Sequence, residues 1–331
     1  MTQKNKIGIL LAQLGTPDAP TPKALRRYLR QFLGDPRVIE LNRVVWWLIL
    51  NLIVLVVRPR KSARLYQKIW TPNGSPLLVT SQAQAEKLER ALNQEHGARF
   101  KVMLGMRYGN PSIPSALEML CREAPEGILV FPMYPQYAGA TSASTYDEVY
   151  KYLPKRRYVP ALRMVRPYYD HPAYIYSLAE SVRESLQQLD WQPEKTVISF
   201  HGIPKRYADM GDPYPQHCEA TVRALAHELG WQNGEYVMSF QSRFGNEVWL
   251  QPYTDETLAE LGRQKLKRIA ALCPGFVTDC LETIDEIGEI GQEQFRATGG
   301  EWLHLIPCLN DSERWIQAMK TIVLEESAGW L

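Results

Sequence analysis

Seven short apolar runs, each closed by turn residues and followed by a longer amphipathic segment, constrain this chain more than any other feature. They span 6–14, 100–106, 127–133, 196–200, 236–240, 268–272 and 302–306. Such alternation is the signature of βαβ units, in which strands buried on both faces form a parallel sheet covered by helices. The expected fold class is therefore α/β, with parallel sheets flanked by helices. At 331 residues, 45% hydrophobic and 22% charged, the chain has material for two ordinary domains.

The two halves echo one another. Leu14-Gly15-Thr16-Pro17 matches His201-Gly202-Ile203-Pro204 at an offset of 187, and Arg107-Tyr108-Gly109-Asn110 matches Arg243-Phe244-Gly245-Asn246 at 136. A duplication explains the shared order. The 51-residue difference between the offsets then implies extra material between the first two motifs of the first half. That material contains an apolar stretch running from Val44 through Trp46 and Trp47 to Val57, flanked by Arg43 and by Arg58, Arg60 and Lys61. Its fourteen residues fall short of the ~20 that cross a bilayer. It reads either as a buried core helix or as a lip over a cleft that also touches membrane, and the paired tryptophans with a basic flank favour the lip.

Charge and cysteines narrow the function. Thirty-eight basic against thirty-six acidic residues give no argument for a nucleic-acid partner. Five cysteines without a C-x-x-C pair suggest neither a disulfide framework nor a zinc ribbon, and a reducing cytosol fits them. The basic N-terminus before Ile7 superficially resembles a signal peptide. It runs into Leu14-Gly15-Thr16-Pro17 without a small-x-small cleavage site, so a first buried strand is expected. The phosphate cradles G-x-G-x-x-G and G-x-x-x-x-G-K-[ST] are missing, as is a G-x-S-x-G elbow.

Chemistry is expected at the carboxyl edge of the strands. Of six histidines, only His201 directly follows a buried apolar run and precedes a Gly-x-Pro turn. From Asp279 the pattern reads as a helix on which Glu282, Glu286 and Glu289 stand at i, i+4 and i+7, forming one acidic stripe. A solvated face is the ordinary explanation of such a row. A track for protons or a hydrated divalent cation is the sharper one. Histidine with carboxylate suits a transient Fe²⁺, Zn²⁺, Co²⁺ or Ni²⁺ as well as proton removal. Arg107, Tyr108, Tyr137, Arg243, Trp249 and Phe276 fall near other strand ends, a recurrence that suits a flat apolar ligand with acidic groups.

These motifs together closely resemble ferrochelatase, the family that inserts Fe²⁺ into a porphyrin in the last step of haem synthesis. The resemblance runs nearly end to end. It includes Leu14-Gly15-Thr16-Pro17, Gly74-Ser75-Pro76, Gly105-Met106-Arg107-Tyr108, Tyr134-Pro135-Gln136-Tyr137, Ser199-Phe200-His201-Gly202, Gln241-Ser242-Arg243-Phe244 and Asp279-Cys280-Leu281-Glu282-Thr283. It implies two Rossmann-like domains sharing a cleft: 1–155 with a lip at about 40–60 and a returning C-terminal helix at 310–331, and 156–309 carrying His201 and Glu282. It further implies that His201 and Glu282 are the essential pair for proton and metal, that Glu286 continues an acidic path, and that Leu14, Arg107, Tyr108, Trp249 and Phe276 line the pocket. Cys280 is histidine in many relatives and Leu14 is methionine or tyrosine in others, so neither is required for the chemistry. Animal members hold a [2Fe-2S] cluster. With no cysteine after Cys308, and with Ala138-Gly139 in the region of the internal ligand, no cluster is expected.

The implied substrates are protoporphyrin IX and Fe²⁺, with no permanently bound cofactor. A cytoplasmic enzyme peripheral on the inner face of the plasma membrane is expected, in contact with the preceding enzyme of the pathway. Coproporphyrin as substrate, or a non-catalytic porphyrin carrier, are the alternatives.

Overall fold

The computed structural model describes residues 6–123 and 126–331. Residues 1–5, the basic stretch weighed above as a leader, lie outside the described residues. The chain forms two compact units, Met1–Tyr134 with Ala138–Arg166 and Asp311–Leu331, and Pro135–Tyr137 with Pro167–Asn310.

The first unit is built on β1 (Ile7–Thr16), β2 (Phe100–Gly109), β3 (Gly127–Pro132) and β4 (Ala161–Met164), parallel throughout in the order β2-β1-β3-β4. Nine of the ten β1 residues are buried, as a central parallel strand covered on both faces requires. Its helices are α1 (Pro22–Gly34), α2 (Arg43–Ile49), α3 (Leu55–Ile69), α4 (Pro76–His96), α5 (Ile113–Arg122) and α6 (Ser144–Tyr152). Leu10, Ile128 and Val130 from the sheet pack with Ile113, Leu117 and Val149 from α5 and α6 in a closed core. β4 extends this unit to Arg166, past the boundary expected at 155. Four residues with a charge in the middle offer no apolar run, and only pairing with β3 makes them a strand.

The second unit repeats the plan. β5 (Lys195–His201), β6 (Tyr236–Gln241), β7 (Arg268–Leu272) and β8 (Trp302–Leu305) run parallel in the order β6-β5-β7-β8. Relabelled from its first strand, this is the order of the first sheet. The two echoed motifs lie at or just after the ends of equivalent strands, β1 with β5 and β2 with β6. Helices α7 (Pro172–Gln187), α8 (Lys205–Asp209), α9 (Tyr214–Leu229), α10 (Thr254–Arg263) and α11 (Gln292–Ala297) complete the unit. The chain then returns to the first unit as α12 (Glu313–Glu326).

The inserted apolar stretch becomes one continuous helix, α2 and α3 joined by a π-helical turn, Leu50–Val54. Asn42 caps it by accepting from the Val44 and Val45 amides, at 3.1 and 3.2 Å. One face of this helix is buried and the other is exposed. Trp46, Leu50 and Leu55 are buried, whereas Val44, Val45, Trp47, Leu48, Leu52, Ile53, Val56 and Val57 are exposed, Trp47 at 61% and Val44 at 70%. Among the described residues no helix is long and apolar enough to cross a membrane.

Candidate active site

In the second unit the chemistry gathers where β5 and β6 end. His201 is the last residue of β5, in register with Gln241. Its Nδ1 lies 2.6 Å from the carbonyl of Gly202. A carbonyl only accepts, so Nδ1 carries the proton and the Nε2 lone pair is left for a proton or a metal ion. Trp249 lies alongside, its ring centre 6.5 Å from the imidazole. Gly202 makes this approach possible: a Cβ there would sit 3.0 Å from the Gln241 carbonyl and 3.1 Å from Trp249 Cε3. Phe276 follows the Pro274-Gly275 turn after β7 and packs against the core that includes Cys273.

The acidic segment is a π-helix, Glu282–Gly291, continued by α11. This corrects the expected stripe. A π-helix bonds each amide five residues back rather than four, so its turn is wider and the i, i+4, i+7 row of an α-helix does not stay on one face. Glu282 and Glu286 remain partly covered, while Glu289 is exposed. Composition alone does not distinguish the two windings. The Gly288 and Gly291 positions, where a Cβ would press Leu305 and Leu258 at 3.1 Å, were the available hint of an unusual segment.

Gln241 and Ser242 hold the two carboxylate-bearing residues in place. Gln241 Nε2 donates to the Glu282 carbonyl at 2.8 Å, and its Oε1 accepts from Ser199 Oγ at 2.8 Å. Ser242 Oγ donates to Glu286 Oε2 at 2.6 Å. Burial raises the Glu286 pKa, and the Glu282 charge adds to that; the Ser242 hydrogen bond, the His201 charge and Gln241 pull the other way without cancelling it. His201, Glu282 and Glu286 are thus electrostatically linked. Glu286 also lines a cavity of ≈ 240 Å³ with Ser242, Arg243, Asp255, Gln294 and apolar side chains of α10 and the π-helix.

Tyr137 belongs to the same unit, its amide donating to His217 Nδ1 at 3.2 Å. Asp279 serves structure, accepting from Thr283 Oγ1 and Asn310 Nδ2 at 2.9 and 2.7 Å. Cys280 is buried beside Glu282, and burial foremost pushes its thiol pKa up. All five cysteines are free and buried. Among the described residues no group of three or more His, Cys, Asp or Glu is arranged to hold a metal ion.

Leu14, Arg107 and Tyr108 come together in the first unit, at the ends of β1 and β2. Gly15 pairs with Tyr108 so closely that a Cβ would lie 1.7 Å from the Tyr108 carbonyl oxygen, and its φ of +114° is one that side chains rarely adopt. Tyr108 packs its ring 5.2 Å from that of Phe32 on α1. Neither arginine offered by the sequence is idle. Arg107 bonds Asp35, Ser144 and Glu148, and Arg243 pairs with Asp255 and Glu256 at 2.8 Å each. Asp35 and Ser144 were not singled out in the sequence, where Gly34-Asp35-Pro36 reads as an ordinary turn.

Residues 6–327 match the family model for ferrochelatase. The chain belongs to the ferrochelatase family. A ferrochelatase of Methylobacillus flagellatus is 50% identical over 99% of this chain and 95% of its own length. Ferrochelatase 1 of Shewanella oneidensis is 49% identical over 98% and 97%, and a ferrochelatase of Thioalkalivibrio sulfidiphilus is 51% identical over 98% and 88%. The solved structure of SirB from Bacillus subtilis with Fe³⁺ matches at a TM-score of 0.57, covering 98% of this chain and 96% of SirB at 13% identity, which shows a common fold alone. As a member of that family the chain is a ferrochelatase of haem biosynthesis, a lyase whose substrates are a porphyrin and iron.

Proposed function

We propose that His201 accepts the pyrrole protons or hands over the metal ion, with Glu282 as its partner and Glu286 as the relay to the outer cavity. Metallation replaces two N–H protons of the porphyrin by one Fe²⁺, so the site must remove two protons while four ring nitrogens turn their lone pairs to the metal. The observation that carries this reading is the imidazole held by its Nδ1 proton at a strand end, close enough to the partly buried Glu286 carboxylate for their charges to interact. Fixed orientation spares the reaction the entropy of aligning a base. Trp249, Phe276 and Tyr137 of the second unit offer partly exposed aromatic surface, and contact energy gathered there offsets bending of the ring.

The test is anaerobic metallation followed by porphyrin absorbance, with Fe²⁺ and Zn²⁺, on protoporphyrin IX and coproporphyrin. The expected result is kcat/KM for protoporphyrin at least about tenfold above that for coproporphyrin, because the apolar lip favours vinyl groups over two further carboxylates. Equal or reversed values would overturn the substrate preference.

The exposed face of the α2–α3 helix is proposed as a peripheral membrane contact on the cytoplasmic side. Fully burying one such side chain is worth about 1.5–3 kcal/mol, so eight of them beside Arg58, Arg60 and Lys61 suffice for interfacial binding. The two tryptophans divide the labour. Trp46 is 5% exposed and donates its Nε1–H to the Leu33 carbonyl at 2.6 Å, so it holds the helix down, while Trp47 is available to lipid. Replacing Trp47, Leu52 and Ile53 by serine is expected to weaken liposome binding at least about tenfold with an unchanged Tm. Undiminished liposome binding would remove the proposal.

A further inference from the structure

The near balance of charge over the whole chain conceals a segregation. Residues 19–70 carry eleven basic and two acidic side chains, a net of +9, whereas the whole chain carries +2, so the remaining residues hold −7. One of the two acids, Asp35, is buried and paired with Arg107. Some of the positive charge is neutralised from outside the segment, Arg27 by Asp18 and Arg37 by Asp147. Lys23, Arg26 and Arg30 on α1 and Arg60, Lys61 and Arg64 on α3 are exposed, and none of them forms an ion pair among the described residues. The same segment exposes the large apolar side chains between Val44 and Val57.

The two basic helices adjoin. Gln67 Nε2 donates to Pro20 O at 3.0 Å where α1 begins, and Trp46 Nε1 donates to Leu33 O at 2.6 Å where α1 ends. The α2–α3 helix therefore runs antiparallel alongside α1. Lys23, Arg26 and Arg30 stand at i, i+3 and i+7, on the side of α1 opposite the buried Leu25, Tyr28 and Leu29. Arg60, Lys61 and Arg64 follow the apolar row on its own helix within two turns of Val57. Unpaired cations gathered in this way repel one another, a cost that an anionic surface laid over them removes.

We infer that this surface is selective for anionic phospholipids, with Lys23, Arg26 and Arg30 of α1 joining Arg60, Lys61 and Arg64 in binding the headgroup phosphates. The inference rests on the proposed membrane contact of the α2–α3 helix and goes beyond it in the lipid class and in the part taken by α1. A bilayer interface offers hydrocarbon beneath a plane of phosphates, which matches apolar side chains and cations carried side by side. An acidic protein would satisfy the cations and leave the apolar row in water. The exposed side of α1 is basic and not apolar, so its share is electrostatic. Each such residue close to an anionic surface adds about fivefold in affinity, and its reach ends within the screening length of about 10 Å at 0.1 M salt.

The experiment is flotation of the full chain with vesicles of phosphatidylcholine alone and of phosphatidylcholine with about one-third phosphatidylglycerol. At about 0.1 M salt the anionic vesicles are expected to bind at least about thirtyfold more tightly than the neutral ones, an advantage lost at about 1 M salt, where screening shortens to about 3 Å. The variant Lys23→Gln/Arg26→Gln/Arg30→Gln is expected to lose at least about tenfold of the binding to anionic vesicles and none of that to neutral ones, with Tm and turnover in detergent unchanged. Lys151→Gln/Lys155→Gln/Arg157→Gln removes the same charge from another exposed part of the chain and should change binding less than about twofold. Equal losses in the two triple variants would mean that net charge acts rather than α1, and would overturn the inference. Anionic vesicles bound no more tightly than neutral ones overturn it too, while leaving the membrane contact standing. If neither vesicle is bound, the membrane reading has failed and takes the inference with it. If poly-glutamate binds as tightly as the anionic vesicles, and serine at Trp47, Leu52 and Ile53 leaves vesicle binding undiminished, the partner is an acidic protein and the lipid assignment is wrong.

Discussion

Replacing His201 by alanine is expected to reduce metallation at least about a thousandfold while protoporphyrin affinity stays within about threefold, since a positioned acid–base group contributes roughly 10²–10⁴ and the substitution also removes the nitrogen donor proposed for the metal. The asymmetry follows from placement. His201 is one small ring at the end of β5, held by Gly202 O, whereas the area proposed to bind a macrocycle comes from Trp249, Phe276 and Tyr137. The neighbouring carboxylate cannot take over, because Glu286 is partly buried and its Oε2 is engaged by Ser242. Stopped-flow absorbance with Fe²⁺ and equilibrium fluorescence quenching with porphyrin alone separate the two quantities. Turnover above about a tenth of wild type would sink the assignment of His201 to the chemical step. A parallel loss of porphyrin affinity would instead make it part of the binding surface.

Strands were the most legible part of this chain, for a physical reason. β1, β3, β5 and β7 are buried on both faces, and burial on both faces writes itself into the sequence as an unbroken apolar run. β4 escaped because an edge strand of four partly exposed residues needs no such run. His201 was legible from the same rule, since a polar residue closing an apolar run stands at a strand end. The winding of 282–291 was not, because π and α windings share composition and differ only in which carbonyl each amide reaches. That difference moved Glu289 away from the carboxylates it was expected to join. Asp35 and Ser144 were invisible for another reason. Their importance lies in partners at separations of 72, 73 and 109 residues, and nothing local marks a turn aspartate that will be buried. The inserted apolar helix was half legible. Hydropathy located it, while the division between buried Trp46 and exposed Trp47 depended on what the helix packs against.

Glu286→Gln should change stability and activity in opposite directions. Burial, the largest influence, raises the carboxyl pKa above its ordinary 4.5. The folded protein therefore holds the proton more tightly than the unfolded chain. Below the unfolded value both states are protonated and the group costs nothing. As pH rises from there through the raised folded value, the unfolded chain gives up its proton first, so stability falls across that window and the deficit persists at neutral pH. Glutamine keeps the shape and an oxygen to accept from Ser242 Oγ, and removes the charge. Its Tm is expected to exceed that of wild type by a few degrees at pH 7.5, and the difference to vanish near pH 4. Activity should fall by about ten- to a hundredfold, because a neutral amide cannot relay protons from His201. The proposed relay accounts for a carboxylate kept in a place where it weakens the fold. If Glu286→Gln leaves Tm at pH 7.5 unchanged or lower, the burial argument fails, and if it also leaves turnover intact, Glu286 has no part in the path.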